Sequence, residues 1–254
     1  MFVTGTDTGV GKTVLSAALL AAVAASGSRV RAHKPVVTGL EEPAGEWPPD
    51  HELLGALTGM GAEEVAPVRY RPATSPHLAA ELAREELEFA DLLARARAAM
   101  ALAGDLGAVI VMEGVGGLLT PLTKGRSVRD LVAEVGLPVL VAARPGLGTI
   151  NHTLLTLEAA RAAELDVRAV VMSPWPPCPS PIELSNRETV ARRGRIEVHT
   201  LPTVPACTAC ELARAGDALP WRRWVEPEVA HAGSRASGAL APARTAATSS
   251  SSIT

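Results

Sequence analysis

The chain has 254 residues, of which 47% are hydrophobic, enough to form the core of one α/β domain. Its formal net charge of −3, with acids and bases intermixed and only 3% aromatic residues, argues against a nucleic-acid partner. No apolar run approaches the roughly 20 residues that cross a bilayer, and the first residues do not resemble a signal peptide. We therefore expect a cytoplasmic protein without a membrane partner.

Six short runs rich in β-branched residues alternate with Ala- and Leu-rich segments of helical length, which indicates successive βαβ units. Two of these runs are continuously apolar, as expected for strands covered by helices on both faces. The sequence thus predicts an α/β fold with a mostly parallel central sheet, whose ligands bind at the carboxyl ends of the strands. The predicted strands span residues 1–4, 29–34, 108–113, 138–143, 168–172 and 196–201.

A glycine-rich stretch, Gly5-Thr-Asp-Thr-Gly-Val-Gly-Lys12-Thr13, follows the first predicted strand and precedes a helical run that begins at Val14. In such a loop the backbone N–H groups surround phosphates, the lysine reaches the outer phosphates and the threonine hydroxyl binds Mg²⁺. The spacing is irregular, because five residues instead of four separate Gly5 from Gly11. We predict a nucleoside triphosphate site.

A second lysine follows the second predicted strand. Lys34 comes after Val30-Arg-Ala-His33 and before Pro35, which keeps the backbone extended. Its ammonium should face the same crevice as Lys12, since the carboxyl ends of parallel strands meet at one edge. One lysine can neutralise the nucleotide, and the other can stabilise an acceptor or the phosphoryl group in transfer.

Two carboxylates are expected near these lysines. Asp50 follows a Pro- and Gly-containing loop over residues 41–49 and begins a predicted helix over residues 50–57. Glu113 ends an apolar strand, where a carboxylate is costly unless a cation satisfies it. Together with the Thr13 hydroxyl, these carboxylates predict a Mg²⁺ site.

The turn Gly148-Thr-Ile-Asn151 follows the fourth predicted strand and opens a helix. Its free N–H groups form either an ordinary helix start or an anion site, and the sequence alone does not choose between them.

The last part of the chain carries fewer signals. Cys178, Cys207 and Cys210 lack a second matching pair or nearby histidines, so we expect reduced thiols. From Pro227 the composition changes to Ala, Ser, Thr, Gly and Pro. We predict a single catalytic domain over residues 1–225 and a low-complexity, disordered tail over residues 226–254.

Four further motifs follow the glycine-rich loop in order: Lys34-Pro-Val-Val-Thr-Gly39, Thr74-Ser-Pro-His77, Val111-Met-Glu-Gly-Val-Gly-Gly-Leu-Leu119 and Gly148-Thr-Ile-Asn-His-Thr153. Together the five motifs resemble the dethiobiotin synthase family, from Phe2 to about Val204. The resemblance implies a P-loop NTPase-like fold and an ATP-dependent, Mg²⁺-requiring ring closure in biotin synthesis. One amine of 7,8-diaminononanoate takes up CO₂ (from bicarbonate) as a carbamate, and the γ-phosphate activates it as a carbamic–phosphoric anhydride. The second amine then closes the cyclic urea of dethiobiotin.

The resemblance also implies roles for individual residues. Lys34 is expected to hold the carbamate, with Lys12 and Thr8 as further catalytic residues. Thr13, Asp50 and Glu113 are the expected magnesium ligands. The expected nucleotide-binding residues are Gly9, Val10, Gly11, Lys12, Thr13, Val14, Asp50, Glu113, Gly114, Val115, Gly116, Ser173, Pro174, Pro202 and Thr203. The expected substrate-binding residues are Thr8, Lys34, Thr38, Gly117, Gly148, Thr149, Ile150 and Asn151, of which the turn at 148–151 acts across a two-fold homodimer interface. His77 and His152 are assigned to packing or capping.

The sequence departs from the family after the fifth predicted strand. There the family commonly has an Asn that binds the adenine edge, whereas this chain has Ser173. One hydroxyl does not offer the fixed donor and acceptor pair of an amide, so discrimination between bases should fall. We therefore expect ATP or another nucleoside triphosphate as co-substrate, with Pro202 or Thr203 lining the base. Trp175 either lines the base as well or packs under the proline-rich loop.

Three other functions are compatible with a phosphate loop. A partitioning or membrane-positioning ATPase usually has an additional lysine early in the loop, where this chain has Thr6 and Asp7. An amidotransferase of the cobyrinate type would need a glutaminase domain, for which the chain has no room. An inactive nucleotide-binding module would form no product.

Overall fold

The computed structural model describes residues 1–43, 45 and 47–225. Six strands form one parallel sheet in the order β2-β3-β1-β4-β5-β6. All six strands predicted from the sequence are confirmed, with ends that differ by at most a few residues. They are β1 Phe2–Gly5, β2 Val30–His33, β3 Val109–Glu113, β4 Val139–Ala143, β5 Val167–Trp175 and β6 Val198–Pro202. The predicted tail lies outside the described residues.

Ten helices are described. They are α1 Lys12–Ala25, α2 Asp50–Thr58, α3 Ala62–Val65, α4 Pro76–Ala83, α5 Phe89–Asp105, α6 Val128–Val135, α7 Thr149–Arg161, α8 Pro181–Gly194, α9 Ala209–Asp217 and α10 Trp221–Val225. Helix α2 begins at Asp50, as predicted. None of the helices in the described part of the chain has the length and apolarity needed to cross a bilayer.

Apolar side chains form two core clusters, one on each face of the sheet. Consecutive residues of a strand point to opposite faces, so Phe2 belongs to one cluster and Val3 to the other. Helices α1, α2, α9 and α10 contribute to the cluster of Val3, and α5, α6, α7 and α8 to that of Phe2. The prediction that helices cover both faces is confirmed.

The strand order determines which loops meet. Because β1 lies between β3 and β4, Val3 is paired with Glu113 on one side and with Leu140 on the other. The loop after β1 is therefore flanked by the loops after β3 and β4. Strand β2 continues the sheet beyond β3, with His33 opposite Met112, so the segment that starts at Lys34 reaches the same edge.

Candidate active site

The loop between β1 and α1 has the backbone of a phosphate-binding loop. Gly9 and Gly11 both adopt positive φ angles, of 68° and 90°, which a side chain disfavours. Lys12 is the first residue of α1 and is buried. Its Nζ donates a hydrogen bond to the Asp7 carbonyl oxygen at 2.9 Å, inside the loop. Burial lowers the pKa of Lys12 to about 8. The protein therefore compensates its positive charge poorly, and the negative charge of bound phosphates would complete the compensation.

Lys34 lies between Asp50 and Glu113, the two carboxylates that were predicted to lie near the lysines. Its side chain is only 4% exposed, and its ammonium donates to the carboxylates of both Asp50 and Glu113. Burial lowers the pKa of Lys34, but the two carboxylates outweigh this effect and hold the pKa above its ordinary value. Lys34 is therefore a permanently charged group beside the loop.

The three predicted magnesium ligands lie together. Thr13 Oγ1 donates to Glu113 Oε1 at 2.9 Å, and Asp50 shares Lys34 with Glu113. Burial raises the pKa of Asp50, but the Lys34 ammonium and the Thr13 hydroxyl hold it below the ordinary value. Glu113 is completely buried, and its Oε2 has no hydrogen-bond partner among the described residues. Because a buried carboxylate oxygen without a partner is costly, these oxygen atoms fit a hard cation.

A cavity of about 780 Å³ opens at this edge of the sheet. Most of the predicted loop residues, two of the three predicted metal ligands and three of the eight predicted substrate residues line it, and its volume is within the usual range for a small-molecule site. The predicted residues among its lining are Thr8, Gly9, Gly11, Lys12, Thr13, Val14, Lys34, Thr38, Asp50, Val115 and Gly116. Glu42, Trp47 and Thr120 also line it, although no sequence motif had indicated a role for them. Glu42 and Trp47 come from the segment interpreted only as a loop.

A second cavity, of about 560 Å³, lies on the other side of the glycine-rich loop. Val10, Thr149, Pro174 and Thr203 line it together with Arg144. The carboxyl ends of three neighbouring strands thus meet there, because Arg144 follows β4, Pro174 lies near the end of β5 and Thr203 follows β6. The structure brings two predicted nucleotide-binding residues, Pro174 and Thr203, together with Thr149 of the predicted substrate turn.

Comparison with known proteins gives the family. A family model described as AAA domain matches residues 1–211. The ATP-dependent dethiobiotin synthetase BioD of Mycobacterium sp. (strain KMS) is 41% identical over 194 residues, which cover 76% of this chain and 82% of the relative. The protein of that name from Anaeromyxobacter dehalogenans (strain 2CP-C) is 39% identical over 86% of this chain and 94% of its own length. The chain belongs to the dethiobiotin synthetase family. The family resemblance drawn from the five motifs is confirmed, and so is the α/β fold.

Other predicted residues of this dethiobiotin synthetase family member lie outside the two cavities. Ser173 is buried, and its Cβ and Oγ would both lie 3.3 Å from a Cβ added to Gly11. Its side chain thus packs beneath the loop, so a direct contact between Ser173 and the base stays a prediction. Pro202 pairs with Trp175 in the sheet. Gly114 follows Glu113 directly, and a Cβ on Gly114 would lie 3.2 Å from the Phe2 ring.

The remaining predicted substrate residues face a third cavity or begin α7. Gly117 lines a cavity of about 380 Å³ together with His152, Leu119 and Leu155. Gly148 has a φ angle of 91° and precedes α7, whose first residues are Thr149, Ile150 and Asn151. His77 Nδ1 lies 3.0 Å from Ser75 Oγ, at the start of α4.

Proposed function

We propose that this protein catalyses the ring closure of dethiobiotin synthesis. ATP drives the insertion of CO₂ between the two amines of 7,8-diaminononanoate. The observation that carries the proposal is the arrangement of Lys34, which is buried against Asp50 and Glu113 and lines the same cavity as the phosphate loop. In a partitioning or switch ATPase the additional lysine usually lies early in the phosphate loop, whereas here the second lysine follows β2 and lines the cavity in which an acceptor would bind.

The chain's own residues would do three things. Lys12 binds the outer phosphates, and their charge compensates its buried ammonium. Lys34 stabilises the negative charge of the carbamate and of the phosphoryl group that moves to it. The hydroxyls of Thr8 and Thr38, in the same cavity, hydrogen-bond the carbamate and hold it for in-line attack on the γ-phosphate.

Thr13, Asp50 and Glu113 would hold Mg²⁺. When bound, the ion neutralises phosphate charge and orients the phosphates. Its remaining ligands would be phosphate oxygens and water, as is common for Mg²⁺ in nucleotide sites. The unpartnered Oε2 of Glu113 supports this assignment.

The active unit is proposed to be a homodimer with shared sites. Leu147 is completely exposed, and Leu119 and Leu155 are each 55% exposed on the same side of the molecule, around the third cavity and the start of α7. A second copy of the chain would cover these leucines. The turn at residues 148–151 could then bind the substrate carboxylate of the partner's site.

The nucleoside is proposed to occupy the 560 Å³ cavity. Pro174 and Thr203 line it, and its lining in the described part of the chain includes no Asn or Gln side chain. Among the described lining residues there is thus no amide with a fixed donor and acceptor pair for one base edge, so we propose that ATP is used with limited selectivity over other nucleoside triphosphates. We place the reaction in the cytoplasm, where biotin precursors and ATP are available.

The decisive experiment incubates the protein with 7,8-diaminononanoate, labelled bicarbonate, Mg²⁺ and ATP. We expect nucleotide-dependent, acid-stable label in dethiobiotin. Hydrolysis of ATP without any labelled dethiobiotin would instead favour a switch ATPase and would overturn the proposal.

A further inference from the structure

Glu42 is one of the charged residues that line the 780 Å³ cavity. Four charged side chains line this cavity in the described part of the chain: Lys12, Lys34, Asp50 and Glu42. Lys34 and Asp50 form an ion pair, and Lys12 bonds to the loop backbone. Glu42 forms no ion pair with any described residue, so its negative charge is available to a ligand.

Backbone hydrogen bonds determine where Glu42 lies. The segment after Lys34 runs beside residues 68–72, with bonds from Val37 N to Val68 O at 3.0 Å and from Gly39 N to Pro72 O at 3.0 Å. Gly39 then turns with a φ angle of 85°, and Glu42 N donates to Gly39 O at 3.1 Å. This turn brings Glu42 Cγ to 3.7 Å from the position of a Cβ on Gly39. Glu42 is thereby held over Gly39, next to Thr38.

We propose that Glu42 binds the second amine of the substrate as an ammonium ion while the first amine becomes the carbamate. The inference rests on the proposed function, which supplies a substrate with two amines. A free amine of this kind is protonated near neutral pH. The carbamate is an anion, so it must lie at Lys34, and the carboxylate of Glu42 would repel it. The amine that remains a cation is therefore the one that Glu42 attracts.

This assignment gives the cavity two ends of opposite charge. Lys34 binds the anionic end of the substrate with the hydroxyls of Thr8 and Thr38, and Glu42 binds the cationic end. A substrate with one amine, or with the amines too far apart to reach both ends, would lose one contact. Glu42 thus contributes to selectivity for a diamine. It binds the nitrogen that later attacks the activated carbamate carbon, and this ammonium must first release one proton to solvent.

The test replaces Glu42 by Gln, which keeps the size of the side chain and removes its charge. We expect the KM for the diamine to rise by about tenfold, since a charge-assisted hydrogen bond is roughly twice as strong as a neutral one. The KM for ATP should stay within about twofold of the parent value, because uniform binding of only one substrate is lost. Added salt should weaken kcat/KM for the diamine less in Glu42→Gln than in the parent.

Glu41→Gln is the matched control. Glu41 is the neighbouring acid and, like Glu42, is solvent-exposed. It lies 4.0 Å from Arg71 and does not line the cavity, so its loss should leave both KM values unchanged. Glu42→Asp should fall between the parent and Glu42→Gln, since it keeps the charge on a shorter side chain.

Three results would overturn the inference. They are an unchanged diamine KM in Glu42→Gln, a parallel rise of both KM values, and a fall in the ATP KM alone. The last result would mean that Glu42 acts on the phosphates. A parent protein that forms no dethiobiotin would overturn the proposed function itself, so the two failures are distinguishable.

Discussion

Replacing Lys34 by Met tests whether the ion cluster is as buried as the structure indicates. Lys34 is 3% exposed and Glu113 is completely buried. Without the ammonium, Glu113 keeps, among the described side chains, only the Thr13 hydroxyl as a donor. Removing one partner of a buried ion pair costs about 3–5 kcal/mol, because the other charge is left uncompensated. This is a large fraction of the roughly 5–15 kcal/mol by which a domain is usually stable.

The measurement is urea unfolding of the metal-free protein. We expect Lys34→Met to lower the free energy of unfolding by about 3–5 kcal/mol. Adding Glu113→Gln should recover about 2 kcal/mol or more, because the amide does not carry the stranded charge. Turnover of Lys34→Met should fall at least about a hundredfold, as for the loss of a transition-state donor.

The pH dependence of the same variants has a definite sign. The pKa of Asp50 is lowered in the folded protein, so its stabilisation is present above the ordinary value of 3.8 and is lost as the pH falls through the lowered value. Lys34→Met should reduce this acid sensitivity. If Lys34→Met costs less than about 1 kcal/mol, or if Glu113→Gln gives no recovery in that background, the cluster is not a buried, coupled unit.

Three further predictions concern other parts of the molecule. Burial lowers the pKa of His33 from 6.5 to about 4. The free energy of unfolding should therefore fall by about 3 kcal/mol as the pH is lowered from 6.5 to 4. The His33→Gln variant, unfolded over the same pH range, should show little of this loss. A Cβ on Gly216 would overlap the Ala18 carbonyl and approach the Ala22 Cβ at 2.8 Å, so Gly216→Ala should cost about 1–3 kcal/mol in thermal unfolding. Gly104→Ala, in a helix with open space around it, is its control and should stabilise by up to about 1 kcal/mol. Finally, turnover with CTP and GTP should lie within about two orders of magnitude of turnover with ATP. A larger preference for ATP would contradict the prediction that Ser173, in place of Asn, weakens discrimination between bases.

The parallel sheet could be predicted from the sequence because several of its strands are short, uninterrupted runs of apolar residues. A strand such as Val109–Glu113 is apolar at four consecutive positions, as required when helices cover both faces. Helices α9 and α10 were not predicted from the sequence, although Trp221 and Trp224 of α10 are buried. Their segment follows the last predicted strand, so no later strand marked it as part of a βαβ unit.

The cluster around the phosphate loop was also predictable in outline. Lys34, Asp50 and Glu113 each lie at the end or start of a predicted element, and the topology of a parallel sheet brings such positions to one edge. Glu42 could not be found in this way, because its position depends on how residues 37–42 pair with residues 68–72. The burial of Ser173 beneath Gly11 could not be predicted from the sequence either, since it depends on the direction in which the Ser173 side chain points at the end of β5.

The two lysines of the cavity differ in what keeps them charged, and this difference separates their roles. Lys34 is held protonated by Asp50 and Glu113, so its charge does not depend on a ligand. Lys12 is also buried, but the effect of burial prevails and brings its pKa to about 8. Phosphates at the loop would supply the opposite charge that Lys12 lacks, and its ammonium is therefore stabilised by the nucleotide. Lys34 is charged before any nucleotide binds, which is the property required of a group that must bind an anionic acceptor such as a carbamate.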